Sequence, residues 1–284
     1  MGQKVRIYIL VEDHARRRGF LGQHGFSALV EVGRGPKALR VLVDTGQDGS
    51  VVLSNARRLG LDLSNVDAVL ITHGHYDHTG GLLTVLDHIG RRGLLIVAHP
   101  DAFVPKFALR DKLIPASEPG LTTSALEEKG AFPILSRGPV RLSEDVVATG
   151  EVRRQTDFER VEGFLKLGPE GLEEDQLLDD QALVIRTDRG LVVITGCAHS
   201  GVVNTVLHAR EIMGEERILA VVGGFHLEGA SEERLDRTVQ ELLRLEPEYL
   251  FACHCTGLRA YCRFTEAFGP RFRWPGSGDV IELG

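Results

Sequence analysis

The sequence predicts an α/β fold in a single domain, on three observations. Apolar runs bounded by turn signals recur from Val5 to Cys253, so strands are spread along the whole chain. In each half the strands come first and then alternate with helical patterns. No internal repeat, low-complexity segment or flexible linker interrupts the 284 residues, and a 43% hydrophobic content is ample for one large core.

The elements follow in order. Val5 to Val11, Ser27 to Val32 and Ala38 to Asp44 read as successive strands, with GRGPK as the tight turn between the last two. Ser50 to Leu59 reads as a short helix. DAVLIT, 67 to 72, is a continuous apolar run, too short for a helix and therefore a strand buried on both faces. GGLLTVLDHIG follows as a helix and LLIVAHP, 94 to 100, as a strand. From Asp101 to Arg141 scattered prolines and glycines leave no clean period, and the stretch reads as an excursion from the sheet that forms a lid or substrate wall. Regularity returns at Val146. ALVIRT (182 to 187) and LVVIT (191 to 195) make a hairpin around TDRG, then come a helix over 201 to 213 and the strand ILAVVGG. Ser231 is the expected N-cap of the amphipathic EERLDRTVQELLRL. YLFAC is the last clear strand and LRAYCRFTEAF the last helix.

Composition excludes several classes of function. A net charge of −7 with no basic run leaves no electrostatic footprint for nucleic acid. No apolar run approaches the ~20 residues of a membrane span, and no signal-peptide pattern is present, so a cytoplasmic protein is expected. Four cysteines in a chain this long do not make a disulfide scaffold. Cys253 and Cys255 flank His254, but C-x-C without a second C-x-x-C pair is a poor match to structural zinc spacing.

The chemistry concentrates in THGHYDHTGG, 72 to 81, just past the end of a buried strand, where α/β folds place ligands. Neutral imidazole and carboxylate together suit zinc, iron or manganese. His73, His75 and Asp77 alternate and can aim at one point, while His78 faces a second point nearby, so the spacing suggests two metals on one short loop. Clustered imidazoles without a partner would be costly.

H-x-H-x-D-H after a strand resembles the signature of the metallo-β-lactamase superfamily. VLVDTG, 41 to 46, is similar to that superfamily's early strand ending in an aspartate, here Asp44, which implies a carboxylate that supports the metal loop rather than binding metal. QHGFS, THGHYDHTGG, GEVRRQTDFE, GCAHSG, GGFHL and CHCTG appear in order and together resemble the subfamily of dihydropteroate-synthase-like enzymes of methanopterin biosynthesis. The resemblance implies an αββα four-layer sandwich with two mixed sheets and flanking helices. It also implies two divalent ions, Zn2+ with Mn2+ or Fe2+ as alternatives.

The chain departs from the superfamily pattern after LVVIT. Cys197 stands about where an aspartate is expected, and His199 follows two residues later. His199 is the candidate for the missing ligand, and Cys197 either binds as thiolate or simply packs. His254 ends a strand as the superfamily's last histidine does and is the final candidate ligand. His226 in GGFHL is either a ligand or the imidazole that protonates a leaving group or holds an oxyanion. His24 is a substrate-side candidate on the subfamily resemblance alone. Arg153 and Arg154, with Thr156, either grip a phosphate or form a solvated charged segment; Lys106 and Arg110 have weaker claims.

The reaction this implies is hydrolysis of a small phosphorylated, ester or lactone-like metabolite, with Asp77 orienting a metal-activated hydroxide. A pterin-joining transferase and a non-catalytic metal-binding sensor are the alternatives. The expected partner is a small molecule, neither nucleic acid nor membrane, and the oligomeric state is open.

Overall fold

The computed structural model describes residues 3–284; Met1 and Gly2, which open the strand-like N-terminus, lie outside them. The chain begins with β1 (Val5–Val11), β2 (Ser27–Val32), β3 (Leu39–Val43), α1 (Gly49–Arg58), β4 (Ala68–Leu70), α2 (Tyr76–Thr79), α3 (Leu82–Ile89) and β5 (Leu95–Ala98). It continues with β6 (Lys106–Leu109), β7 (Leu113–Pro115), α4 (Thr123–Glu128), β8 (Phe132–Leu135), β9 (Val140–Arg141), β10 (Val146–Ala148), β11 (Phe164–Gly168) and β12 (Gly171–Glu174). The last third holds β13 (Ala182–Thr187), β14 (Gly190–Thr195), α5 (Val202–Met213), β15 (Ile218–Gly224), α6 (Glu232–Leu245), β16 (Tyr249–Cys253), α7 (Leu258–Phe268), β17 (Phe272–Arg273) and β18 (Val280–Leu283).

These strands form two seven-stranded mixed sheets, in orders β18-β1-β2-β3-β4-β5-β8 and β17-β16-β15-β14-β13-β10-β9. The sheets pack face to face. Ile7, Ile9 and Val43 from one meet Leu183, Ile185 and Ile194 from the other, all without solvent exposure. Each such side chain contributes about 1.5–3 kcal/mol of burial. On the outer face of the first sheet Leu29 and Leu42 pack against Val52 of α1 and Leu82 and Val85 of α3. On the outer face of the second, Val193 and Val221 pack against Val206 of α5, Leu242 of α6 and Phe264 of α7. The layers are therefore helix, sheet, sheet, helix, as expected. Among the described residues no helix is long and apolar enough to cross a membrane.

The stretch from Asp101 to Arg141 corrects the sequence reading. It is not wholly an excursion: β8 adds parallel to β5 as an edge of the first sheet, and β9 adds to β10 as an edge of the second. Pro133 is tolerated in β8 because an edge strand leaves one row of N–H positions unpaired. Only β6 and β7 leave the sandwich. They pair with β11 and β12 in a separate four-stranded antiparallel sheet, and Phe164–Gly168 and Gly171–Glu174 had no strand signal of their own.

Candidate metal centre

Strands β3, β4 and β5 run parallel in the first sheet, and β14, β15 and β16 run parallel in the second. Their carboxyl ends face one cleft. Asp44 follows β3, His73 follows β4, Cys197 follows β14, His226 follows β15 and His254 follows β16. Gly196 permits this convergence, since a Cβ there would sit 2.0 Å from Thr72 Oγ1. Asp44, Ala198, His226 and His254 all adopt left-handed backbone, at φ of 53°, 54°, 45° and 50°. Non-glycine residues in that region cost about 1–3 kcal/mol each and persist only where the surroundings impose them.

The side chains fall into overlapping groups. Ligand atoms of Asp77, His78, Cys197 and His254 lie within 4.8 Å of one another, and so do those of His73, Cys197 and His199. The His75 ring packs edge-on against His73 and His199, at centroid distances of 4.7 and 4.8 Å. Cys197 thus belongs to both groups, with its Sγ 3.1 Å from His78 Nε2. A further group joins Cys197, His226 and Cys255, and another joins Asp13, His24 and His254.

Carboxylates behind the imidazoles fix their orientation. Asp44 accepts from Thr72 N at 2.8 Å and Thr72 Oγ1 at 2.6 Å, and its Oδ2 lies 2.7 Å from His78 Nδ1. That contact turns His78 Nε2 toward Asp77 and Cys197. Asp13 plays the same part for His254, at 2.7 Å from Nδ1. Its other oxygen lies 3.1 Å from His24 Nδ1, and His24 Nε2 stands 3.5 Å from Asp77 Oδ2. Asp179 accepts from Gly74 N at 2.8 Å and so braces the motif loop from behind. Asp180 accepts from Ser200 N at 2.8 Å, and burial pushes its carboxyl up to about 6.

Burial dominates the electrostatics. It pushes His75 down to about 4 and His73 and His199 well below the usual histidine range, so these three present neutral imidazoles. For His78 burial acts in the same direction, but Asp77 and Asp44 outweigh it and hold the ring at about 9. Burial would raise Asp77, yet His78 and His254 keep its carboxyl well below the ordinary value.

The donor set fits divalent cations. His75 Nε2, both ring nitrogens of His199 and His226 Nδ1 are buried without a hydrogen-bond partner. Such orphans are costly in a dry site and are natural lone-pair donors or hydrogen-bond sites for a bound group. Imidazole, carboxylate and thiol together match zinc, and the imidazole–carboxylate part also matches manganese or iron.

A cavity of about 580 Å3 opens over this cluster. His24, Asp77, Cys197, His199, His226 and His254 line its floor, and Leu109, Arg110, Ile114 and Phe164 of the small sheet form a wall. The Phe164 ring lies 5.0 Å from that of His75 and 5.3 Å from that of His199. Another cavity of about 470 Å3, beside Arg273 and Trp274, contains no histidine or cysteine.

The structure therefore brings together His24, His73, His75, Asp77, His78, Cys197, His199, His226 and His254, with Asp44 behind them. It does not bring Arg153 and Arg154 there. Arg153 pairs with Glu211 of α5 at 2.9 Å, and Arg154 bonds to Gln176. The cause is the segment's own packing. Gln155 N and Thr156 N donate to Asn204 Oδ1, and Glu159 accepts from Val203 N and Asn204 N, so the segment caps the start of α5 and turns its arginines outward. Lys106 is also structural: fully buried, it bonds Asp175 at 2.7 Å and Asp179 at 3.0 Å. Sequence reasoning missed Asp13 and Phe164, and set Cys255 aside with the C-x-C pair. Asp13 and Cys255 had a usable signal, since each adjoins the end of a predicted strand; Phe164 had none.

Comparison with known proteins bears on the family and the fold. The profile of the metallo-beta-lactamase superfamily matches residues 23–254. The chain is similar throughout to the 7,8-dihydropterin-6-methyl-4-(β-D-ribofuranosyl)-aminobenzene-5'-phosphate synthase of Methanocaldococcus jannaschii, at 33% identity over 98% of this chain and 97% of that one. A crystal structure of a metal-dependent hydrolase of the β-lactamase superfamily matches with a TM-score of 0.83 at 33% identity, covering 99% of both chains. A diphosphatase from the PhnP family shares the fold at 13% identity, with a TM-score of 0.53 over 100% of this chain and 98% of that one. On the profile match and the full-length similarity, this chain belongs to the metallo-β-lactamase superfamily.

Proposed function

We propose that the chain is a metal-dependent hydrolase of a small phosphorylated, ester or lactone-like metabolite. The observation that carries this reading is the set of buried, unpartnered imidazole nitrogens converging with Asp77 and Cys197 on the floor of a cleft. His73 and His199 would hold one divalent ion, joined by the uncommitted Nε2 of the adjacent His75, and Asp77, His78 and His254 the second, with Cys197 within reach of both groups. When bound, such ions lower the pKa of water from about 15.7 to roughly 7 and polarise a carbonyl or phosphoryl oxygen. The chain's own residues supply the rest. Asp77 Oδ2, 3.5 Å from His24 Nε2, orients the attacking oxygen and passes its proton toward that imidazole. His226, with Nδ1 uncommitted on the cavity floor, donates to the leaving oxygen. Phe164 covers the imidazoles and limits the water that reaches them.

One observation favours a second reading, the full-length similarity to a synthase that forms a dihydropterin joined to a ribofuranosyl-aminobenzene phosphate. In that case the same residues would grip a leaving group during a transfer. Metal content per chain, by elemental mass spectrometry of protein purified without chelator, tests the shared basis. Two ions are expected, falling to one in His78→Ala, and a panel of phosphoesters and lactones should then reveal turnover. Turnover confined to the joining reaction selects the transferase. A chain that takes up no metal on reconstitution overturns both and leaves a non-catalytic module.

A further inference from the structure

Phe164 lines two cavities. Beyond the one already described, a second of about 400 Å3 opens on the same His199 and His226, between Phe164 and the start of α6. It is lined by Arg160 and Arg234, with Glu162 as the acid that shares it. Arg234 sits in the first turn of α6, where its backbone N–H donates to the cap Ser231 Oγ at 3.2 Å. Its guanidinium is committed only to the Arg160 carbonyl, through Nη1 at 3.3 Å, and its Nε is buried without a partner. Arg160 uses its own Nε on the Asp157 carbonyl. Among the described residues neither guanidinium has a carboxylate partner, whereas Arg153, Arg237 and Arg263 all do.

A partly buried cation with an open donor is an unfavourable arrangement unless an anion completes it. Burial already pushes the Arg234 guanidinium below its ordinary value, and nearby Glu159 and Glu162 only partly offset that. Two guanidinium forks also match the geometry of a tetrahedral oxyanion better than any single cation would.

We propose that Arg160 and Arg234 form the subsite for a phosphoryl group of the substrate, which then passes under Phe164 to reach His199 and His226. This rests on the reading of the cleft as an active site and specifies its substrate class as a phosphate ester. It also moves the phosphate grip from Arg153 and Arg154, one of the two readings the sequence allowed for them, to Arg160 and Arg234, whose guanidinium groups lack a carboxylate partner among the described residues.

The test is calorimetric titration of inorganic phosphate into the metal-loaded chain, beside Arg234→Met, Arg234→Lys, Arg160→Met and a double Arg153→Ala/Arg154→Ala variant. Loss of a charge-assisted grip should weaken phosphate by at least about tenfold in Arg234→Met. Arg160→Met should also weaken it, Arg234→Lys should retain part of it, and the double variant should bind as the parent does. Arg160 is exposed, so Arg160→Met decides the matter if Arg234→Met does not fold. Phosphate binding unchanged in both methionine variants would place the anion on the metals alone and overturn the proposal, as would a parent chain that does not bind phosphate at millimolar concentration. The same titrations on chelated protein keep the two readings apart: a chain that takes up no metal sinks the hydrolase, while the arginine variants still report phosphate binding to the pair.

Discussion

Asp13 carries two imidazoles on one carboxylate, His254 at 2.7 Å and His24 at 3.1 Å. Its position explains why histidine chemistry was easier to read from the sequence than its support. Three histidines and an aspartate within six residues announce themselves by crowding, but Asp13 sits in VEDHARRRGF, far along the chain from His254, and only the folded cleft joins them. Asp44 was singled out through its place in VLVDTG, and in the fold its Oδ2 lies 2.7 Å from His78 Nδ1. Arg153 and Arg154 failed for the opposite reason: charge and neighbouring Thr156 looked like an anion grip, while the structure spends the segment's polar atoms on the start of α5. Asp13 holds the His254 ring through Nδ1 at 2.7 Å. Replacing Asp13 with alanine should free the His254 ring and weaken metal binding on the Asp77 side by about 10–100-fold. Competition of the loaded protein against a chelator measures this, and an affinity equal to the parent's would show that His254 needs no such support.

Among the elements, those with a clean period were legible. Ser231 caps α6 as expected, and β15, β16 and α7 begin and end where their apolar patterns do. The small sheet was not legible, because its strands are five residues at most and the pairing that joins its two hairpins spans sixty positions, Lys166 opposite Lys106. Prolines around it, at 105, 115 and 119, erase what alternation remains. Lys106 is the element's anchor. It is fully buried, and its ammonium bonds Asp175 at the end of β12 and Asp179, which in turn holds Gly74 N in the motif loop. Lys106→Met would leave two carboxylates buried without their cation, a loss of about 3–5 kcal/mol. Thermal melting should show that loss, and limited proteolysis should open first within 106–115 and 164–174. A variant that melts with the parent and resists the protease equally would mean that the wall is held by its apolar contacts instead.

Across the whole molecule, the cleft takes His73, His75, Asp77 and His78 from the first sheet's side and Cys197, His199, His226 and His254 from the second's. A sequence can nominate each group, but the facing of two sets of strand ends is a property of the packed sandwich. Ions bound across that boundary would tie the two halves together. Stripping them with a chelator should therefore lower the melting temperature, because a ligand bound only by the folded state at 1,000 times its Kd adds about 4 kcal/mol. The metal-loaded and chelated melts make the comparison, and identical curves would deny any such tie. The groups of the floor are locked to strand ends and to one another, whereas the wall projects Leu109, Arg110 and Ile114 from a short hairpin paired with β11 and anchored by Lys106. If the cleft is the active site proposed above, the reacting groups and the wall that meets the substrate lie on separate pieces of chain, so changes at the hairpin tip would alter the wall and leave the floor in place.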